Sequence, residues 1–186
     1  MSHSNTQRLT DYWRRRRSRG SAPLRASIDP CDFADLLPQV FILGRAGPGK
    51  CQFRLSGGLL EDLHGRDLRQ ADFLSLWSDY DRAQLQLALE SALRRGQAMV
   101  IEAEGETQEG QSADFEILMA PMISHTGEVD RFLGLYQPTS SLSRLLGRPL
   151  DALKVVMIRP VPDKVDDPVR AMAPIRLAAL DGRRIA

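Results

Sequence analysis

Apolar positions along the chain change their spacing several times, and each change predicts a boundary between helix and strand. Near the start, Leu9, Tyr12 and Trp13 recur at helical spacing and predict one apolar stripe on a short helix. Asp29-Pro30 then matches a helix start, because the fixed φ of proline and its missing N–H suit the first helical position. The chain is therefore expected to open with two short helices, the second of which ends at Pro38.

Two groups of strands follow, separated by a helical region. Strands at 40–43 and 51–56 flank the turn sequence Gly47-Pro48-Gly49 and predict a hairpin. Three more strands are predicted at 98–104, 113–120 and 131–137. Between the two groups, apolar runs at 59–63 and 73–77 and a longer stripe ending at Gly96 predict helices.

Hairpin-connected strands on both sides of a helical insert predict an α+β fold, with one five-stranded antiparallel sheet and helices across one of its faces. We divide the chain into an N-terminal amphipathic, arginine-rich helix (1–27), a sheet domain (28–138) and a C-terminal extension (139–186). Four prolines between residues 160 and 174 interrupt the apolar pattern. The extension is therefore expected to be partly extended or disordered from Pro160.

Composition excludes some classes of protein. The 186 residues carry a net charge of +1, which excludes a uniformly basic nucleic-acid binder and an acidic disordered chain. Two cysteines are too few for a disulfide scaffold, and no apolar run reaches the roughly 20 residues that span a bilayer. No apolar stretch follows the N-terminal arginines, so a secretory signal is not predicted and a cytoplasmic location is expected.

The near-zero net charge results from two regions that cancel. Residues 1–27 contain seven arginines and one acid, a net charge of +6, whereas residues 100–130 contain eight acids and no lysine or arginine. These regions are expected to meet, either within the chain or across a dimer. Such polarity favours a partner-binding module over a uniformly neutral domain.

Several local motifs resemble those of a single-domain PAS-like family common in alphaproteobacteria. They are DYW at 11–13 with the arginines after it, PLR at 23–25, IDP at 28–30, FRLSGG at 53–58, LHGRDL at 63–68, FLSLW at 73–77 and VDRFLG at 129–134. Two strands, a helical segment and three strands is also the order of the PAS sensor fold. The resemblance covers residues 8–136 and implies a sensory or protein-interaction module in signal transduction, not an enzyme.

The resemblance also implies where binding takes place. PAS domains commonly dimerise through an N-terminal helix, so Leu9, Tyr12, Trp13 and Arg16 are predicted to form an association face, the alternative being that the stripe packs on the chain's own sheet. Many PAS domains enclose a small ligand, and the residues predicted to line such a pocket are Phe41, Phe53, Leu55, His64, Phe115 and Tyr136. We predict no particular cofactor and expect that there is none. The expected partners are a second copy of the chain and a regulatory protein.

Two other functional classes are open at this point. Residues 44–51 match the P-loop pattern G-x-x-x-x-G-K-[ST] except at the last position, where Cys51 replaces the hydroxyl that would hold magnesium. A strand pattern follows, whereas a P-loop opens a helix, so a hairpin turn is favoured over nucleotide binding. The arginines at 14–17 surround a helix instead of lining one side, which favours a solvated helix end over a nucleic-acid-binding regulator.

Metal and catalytic sites are not predicted. His3, His64 and His125 are scattered, and neither cysteine has a C-x-x-C partner, so haem ligation by His64 is less favoured than a hydrogen-bonded or exposed histidine. Cys51 resembles the flavin-reactive cysteine of light-sensing PAS proteins only superficially, because that cysteine belongs to a helix. Flavin photochemistry is rejected. No Ser/His/Asp arrangement stands out, and no enzymatic activity is expected.

Overall fold

The computed structural model of the protein describes residues 2–18, 21–47 and 49–162. Within these residues the α-helices are α1 (Ser4–Arg16), α2 (Gly58–His64) and α3 (Asp79–Arg95). The strands are β1 (Val40–Gly47), β2 (Lys50–Ser56), β3 (Met99–Glu106), β4 (Ser112–Ile123), β5 (Val129–Pro138) and β6 (Ala152–Pro160). Short 3₁₀ helices lie at Arg25–Ser27, Pro30–Gln39, Phe73–Leu76 and Leu142–Leu145.

The strands of the described residues form one antiparallel sheet in the order β2-β1-β5-β4-β3-β6. The hairpin β1–β2 joins the meander β3–β4–β5 where β1 pairs with β5, with Phe41 opposite Gly134. The predicted α+β fold with an antiparallel sheet is confirmed. The sheet has six strands instead of five because β6 pairs along β3.

One face of the sheet, here called the inner face, is covered by α2, the 3₁₀ helix Phe73–Leu76 and α3. Strand residues pointing to this face are buried in one apolar cluster, including Phe41, Phe53, Phe115, Ile117 and Tyr136. The longest helix, α3, ends where predicted, because Gly96 adopts a φ of 59° that glycine takes without steric cost.

The opposite, outer face carries a second apolar cluster. Here α1 and the 3₁₀ helix Pro30–Gln39 pack on strand residues that include Val40, Leu118, Ala120, Leu133 and Leu135. The sequence pattern predicts helices across one face only, yet they cover both. The reason is that the central strands β4 and β5 are apolar on both sides, so each face must be shielded from water.

The C-terminal extension belongs to the same fold as far as residue 162. Leu145, Leu150 and Leu153 are buried in the inner-face cluster, and β6 completes one edge of the sheet. The Ser78 N–H donates to the Leu153 carbonyl at 2.8 Å, which ties β6 to the start of α3. No structural boundary therefore falls at the predicted residue 138. Residues 163–186, which include most of the predicted tail, lie outside the described residues.

Candidate functional site

Aromatic side chains fill part of the inner face. Phe41 of β1, Phe53 of β2 and Phe73 have ring centroids 5.6 to 5.9 Å apart. Trp77 meets Phe73 edge-on, with 5.7 Å between their centroids. The Phe41 ring lies directly on Gly134 of β5, where an added Cβ would come within 2.1 Å of the ring. Side chains of the protein itself therefore occupy the space between the sheet and the helices here.

Further along the inner face, two polar side chains meet among apolar ones. Tyr136 of β5 is fully buried, and its ring centroid is 4.9 Å from that of Phe115 on β4. His64 is the last residue of α2, and its Nε2 lies 3.4 Å from the Tyr136 hydroxyl oxygen. Gly65 ends α2 with a φ of 61° and so sets the position from which the imidazole reaches the sheet. The contact is a long, weak hydrogen bond.

Burial keeps both members of the His64–Tyr136 pair uncharged. Loss of solvation lowers the pKa of His64 to about 4, and the nearby charge of Arg66 adds to this effect. Burial also raises the pKa of Tyr136 well above its ordinary value. At neutral pH the layer therefore contains a neutral imidazole and a neutral phenol, each of which both donates and accepts hydrogen bonds.

A third polar group of this layer, the indole of Trp77, has no partner within the described residues. Its Nε1–H is buried and makes no hydrogen bond there. A buried donor without a partner costs about 1–3 kcal/mol, and such groups are rare in folded proteins. The inner layer thus offers hydrogen-bonding groups as well as aromatic surface.

The structure brings five of the six predicted pocket residues to the inner face, namely Phe41, Phe53, Phe115, Tyr136 and His64. Leu55 does not join them, because it is 44% exposed and pairs with Ile42 on the outer side. A β-bulge explains its position: Ile42 pairs with Leu55 while the next residue, Leu43, pairs with Phe53, which leaves one extra residue in β2. An extra residue reverses the side to which the following side chain points.

Two residues of the aromatic layer are absent from the sequence-based set. Phe73 and Trp77 are both buried, on the short helical segment that precedes α3. Their spacing of four residues in a predicted helix is the signal that identifies them, since a stripe at that spacing must face the sheet.

The N-terminal helix packs its aromatic stripe on the outer face of the sheet. Leu9, Tyr12 and Trp13 are buried, and the Trp13 Nε1–H donates to the Pro121 carbonyl of β4 at 2.7 Å. Tyr12 meets Phe33 edge-on, with 5.2 Å between ring centroids. The positions of these side chains correspond to packing on the chain's own sheet. They do not support an association face, because the apolar outer face already covers the stripe.

Two arginines of α1 pair with acids of the adjoining 3₁₀ helix, Pro30–Gln39, and a third, Arg14, pairs with Asp11 of α1 itself. Arg8 makes two 2.7 Å hydrogen bonds to Asp35, and Arg16 makes one of 2.8 Å to Asp32. The Arg16 guanidinium also lies 5.2 Å from the centroid of the Tyr12 ring. Charges neutralised within the chain are not available for phosphates, so the nucleic-acid alternative is not favoured.

The acidic region of the sheet takes its basic partner from β6. Arg159 bonds Glu102 and Glu116, each at 3.0 Å, on the polar part of the outer face. The residue before α1 reaches one of these acids through its backbone, since the His3 N–H donates to Glu116 at 2.9 Å. The opposite charge expected from the N-terminal arginines is therefore supplied by a strand of the C-terminal extension.

The P-loop-like sequence forms a β-hairpin. Arg45 lies opposite Cys51 and Gly47 lies opposite Lys50 across β1 and β2. The residues after Lys50 continue as β2, where a P-loop would open a helix, so nucleotide binding is not favoured. Burial raises the pKa of Cys51 to about 11. Cys51 is thus a protonated thiol on a strand, unlike the helix-borne flavin-reactive cysteine with which its segment was compared in the sequence.

The described residues give three further results, on metal ions, on thiols and on membrane-spanning helices. In them, no group of three or more His, Cys, Asp or Glu side chains is placed to hold a metal ion. Cys31 is exposed and Cys51 is buried, and both are free thiols. None of the helices described is long and apolar enough to cross a membrane.

Three comparisons with known proteins complete the description. No curated protein matches the chain. Similar solved structures include the LOV protein of Rhodobacter sphaeroides, with 13% identity and a TM-score of 0.46 over 63% of this chain and 72% of that one. The dark structure of the blue-light photoreceptor Aureochrome1 LOV has 13% identity and a TM-score of 0.47 over 64% of this chain and 89% of that one. VqmA bound to DPO has 11% identity and a TM-score of 0.45 over 62% of this chain and 58% of that one. Identities this low limit the similarity to the general course of the backbone.

The family assignment comes from the sequence match and agrees with the observed fold. The sequence model of the PAS domain family matches residues 1–137, which is most of the chain. The match includes α1 and all the strands from β1 to most of β5, in the order described above. The chain therefore belongs to the PAS domain family.

Proposed function

We propose that this chain is a sensory regulatory module that recognises a small molecule beside the His64–Tyr136 pair of its inner layer and acts through protein contacts, not through catalysis. Membership of the PAS family supports the sensory role. The observation that carries the proposal is the His64–Tyr136 pair, two neutral polar side chains held 3.4 Å apart in an otherwise apolar layer. Burying two polar side chains in an apolar layer costs free energy, so we expect the pair to serve recognition.

The surroundings of the pair indicate the kind of molecule that it would recognise. Charged ligands would lose their hydration in this layer without gaining an opposite charge, so an uncharged molecule is expected. Aromatic neighbours such as Phe115 favour a flat molecule, and the imidazole and phenol favour one with a hydrogen-bonding atom. His64 is 7% exposed at the end of α2 and marks the side from which the molecule would enter.

The output of the module is proposed to be a contact with a second copy of the chain or with a regulatory protein. We also propose that the chain belongs with the single-domain PAS-like proteins of alphaproteobacteria and that it acts in the cytoplasm. No cofactor of fixed identity is included, because the inner layer already contains the aromatic side chains of Phe41, Phe53 and Phe73.

Native mass spectrometry of the purified full chain tests the sensing role. The expected result is a species heavier than the chain whose extra mass is lost on denaturation. Tyr136→Phe should reduce the fraction of the chain that carries the extra mass, because it removes the hydroxyl that faces His64. Tyr12→Phe is the matched control, since it makes the same change on the outer face.

One result would contradict the sensing role. It is a chain that carries no extra mass and whose unfolding midpoint does not rise when a small-molecule extract of its host cells is added. Loss of the extra mass in both tyrosine variants would point to general destabilisation instead of recognition by Tyr136.

A further inference from the structure

The helix α3 carries large apolar residues on two opposite sides. Its inner side, which includes Leu85, Leu89 and Leu93, is buried in the inner-face cluster. On the opposite side Tyr80 is 92% exposed and Leu87 is 66% exposed. Residues seven positions apart lie on the same side of a helix after two turns, so Tyr80 and Leu87 form one line that faces solvent.

The solvent-facing side of α3 continues beyond these two residues. Ala83 lies between them and Arg94 lies two turns after Leu87, and both are exposed. A helix whose other side is already anchored gains nothing from apolar residues on this side unless they are covered. We call the surface formed by Tyr80, Ala83, Leu87 and Arg94 the α3 face.

We propose that the α3 face binds a second copy of this chain, with the two α3 helices antiparallel about a two-fold axis at Leu87. The inference rests on the proposed action through protein contacts and assigns a surface and a partner to it. With the axis at Leu87, each residue opposes the one equally far on the other side of Leu87. Leu87 then meets Leu87 of the second copy, and Tyr80 meets Arg94 of the second copy.

Charge complementarity is the reason for choosing a second copy as the partner. The first turn of α3 carries Asp79 and Asp81, and its last turn carries Arg94 and Arg95. Antiparallel pairing places the acidic end of one helix beside the basic end of the other, twice in the dimer, and also opposes the helix dipoles favourably. Parallel pairing would place like charges together.

Asp81 is buried and bonded within the chain, so the charges that are accessible for this pairing are those of Asp79, Arg94 and Arg95. Within the described residues Arg94 and Arg95 make no ion pair, and the side chain of Asp79 is 90% exposed even though Arg82 contacts it. The face of the Tyr80 ring is also open to a guanidinium such as that of Arg94. A helix surface that carries acidic, aromatic, apolar and basic groups in this order is complementary to an antiparallel copy of itself.

The mass of the full chain in solution, measured by sedimentation velocity over a range of concentrations, tests the proposal. A pair of 17-residue helices gives a small interface, so a dimer with a dissociation constant in the micromolar range is expected. Leu87→Glu places two carboxylates together at the axis and should weaken the dimer by at least about tenfold. Leu24→Glu is the matched control at another exposed leucine, 55% exposed and outside the α3 face, and should leave the dimer unchanged.

A charge exchange tests the antiparallel arrangement itself. Asp79→Arg and Arg95→Asp should each weaken the dimer about fivefold, and the double variant should recover the affinity because the new charges again face opposite ones. Thermal unfolding of each variant followed by circular dichroism separates weakened association from misfolding. A double variant weaker than either single one would overturn this arrangement.

The outcomes also separate this inference from the proposed function. A wild-type dimer that Leu87→Glu does not affect would overturn the α3 face and leave action through protein contacts standing. A chain that is monomeric at every concentration, and that retains no protein partner from its host either, would overturn both.

Discussion

The two faces of the sheet are covered in different ways. On the outer face, α1 buries its whole apolar stripe, and two of its arginines, Arg8 and Arg16, bond acids of the adjoining segment. On the inner face, α3 buries one side and leaves Tyr80 and Leu87 exposed, above a layer that contains the His64–Tyr136 pair. The difference shows an outer cover that is closed by its own contacts, and it agrees with the proposal that recognition and contact belong to the inner layer and to the exposed side of α3.

The largest effect is expected from a direct comparison of α1 with α3. Trp13→Ala should lower the free energy of unfolding by about 3–5 kcal/mol, because it empties a fully buried site and leaves the Pro121 carbonyl without its donor. Leu87→Ala should change the same quantity by less than about 0.5 kcal/mol at concentrations too low for association. Urea denaturation gives both values, and similar losses in the two variants would contradict the contrast.

The next effect is a pH dependence that originates in the inner layer. His64 has an ordinary pKa of 6.5 and a folded-state pKa of about 4, so the unfolded chain binds a proton that the folded chain excludes. The contribution of His64 to stability is therefore complete above about pH 6.5 and is lost as the pH falls towards 4. The expected loss is about 3 kcal/mol.

Comparison of variants separates the contribution of His64 to stability from that of the carboxylates that titrate in the same pH range. His64→Gln should flatten the fall in stability between pH 6.5 and 4, whereas His125→Gln, in an exposed turn, should leave it unchanged. Urea denaturation at a series of pH values measures both. Identical slopes in wild type and His64→Gln would show that the imidazole is not held neutral by the fold.

The same contrast explains what the sequence could predict. Alternation such as Phe115, Ile117 and Met119 on β4 identifies the strands, because one residue in two must face the inner cluster. Glycines such as Gly96 mark helix ends through their backbone conformation. The apolar stripe of α1 can also be identified in the sequence, but it indicates only that another surface must cover these residues. Whether the cover is the same chain or a second one depends on the apolar outer side of β4 and β5.

Two features of the sheet could not be predicted by alternation because bulges interrupt it. The register of β6 shifts between Glu102 and Ala103, which leaves Val156 as an extra residue and hides the strand period. The bulge in β2 sends Leu55 to the outer side in the same way. For α3, the exposed line of Tyr80 and Leu87 is indistinguishable in sequence from core positions, so only the structure separates the two sides of this helix.

A smaller effect concerns the attachment of α3 to β6. The buried carboxylate of Asp81 accepts hydrogen bonds from the Ser78 hydroxyl at 2.7 Å and from the Val155 N–H at 3.1 Å. Asp81→Ala should therefore cost about 1–2 kcal/mol and raise amide hydrogen exchange in β6. Asp79→Ala, in the same helical turn but exposed, is the matched control. Unchanged exchange in β6 would show that the Asp81 carboxylate does not help to hold this strand.

The smallest effect is expected from the ion pairs of the outer cover. Arg8 and Asp35 are about half exposed, and the hydrogen bond from Arg8 is the main cause of the lowered pKa of Asp35. Water and salt screen such a pair, so Arg8→Gln should leave the denaturation midpoint within error at physiological ionic strength. A loss as large as that of Asp81→Ala, which disappears in high salt, would show that charge holds α1 on the sheet. The packing of α1 on the outer face would then depend on ionic strength. The contrast between a structural outer cover and a recognising inner layer would fail.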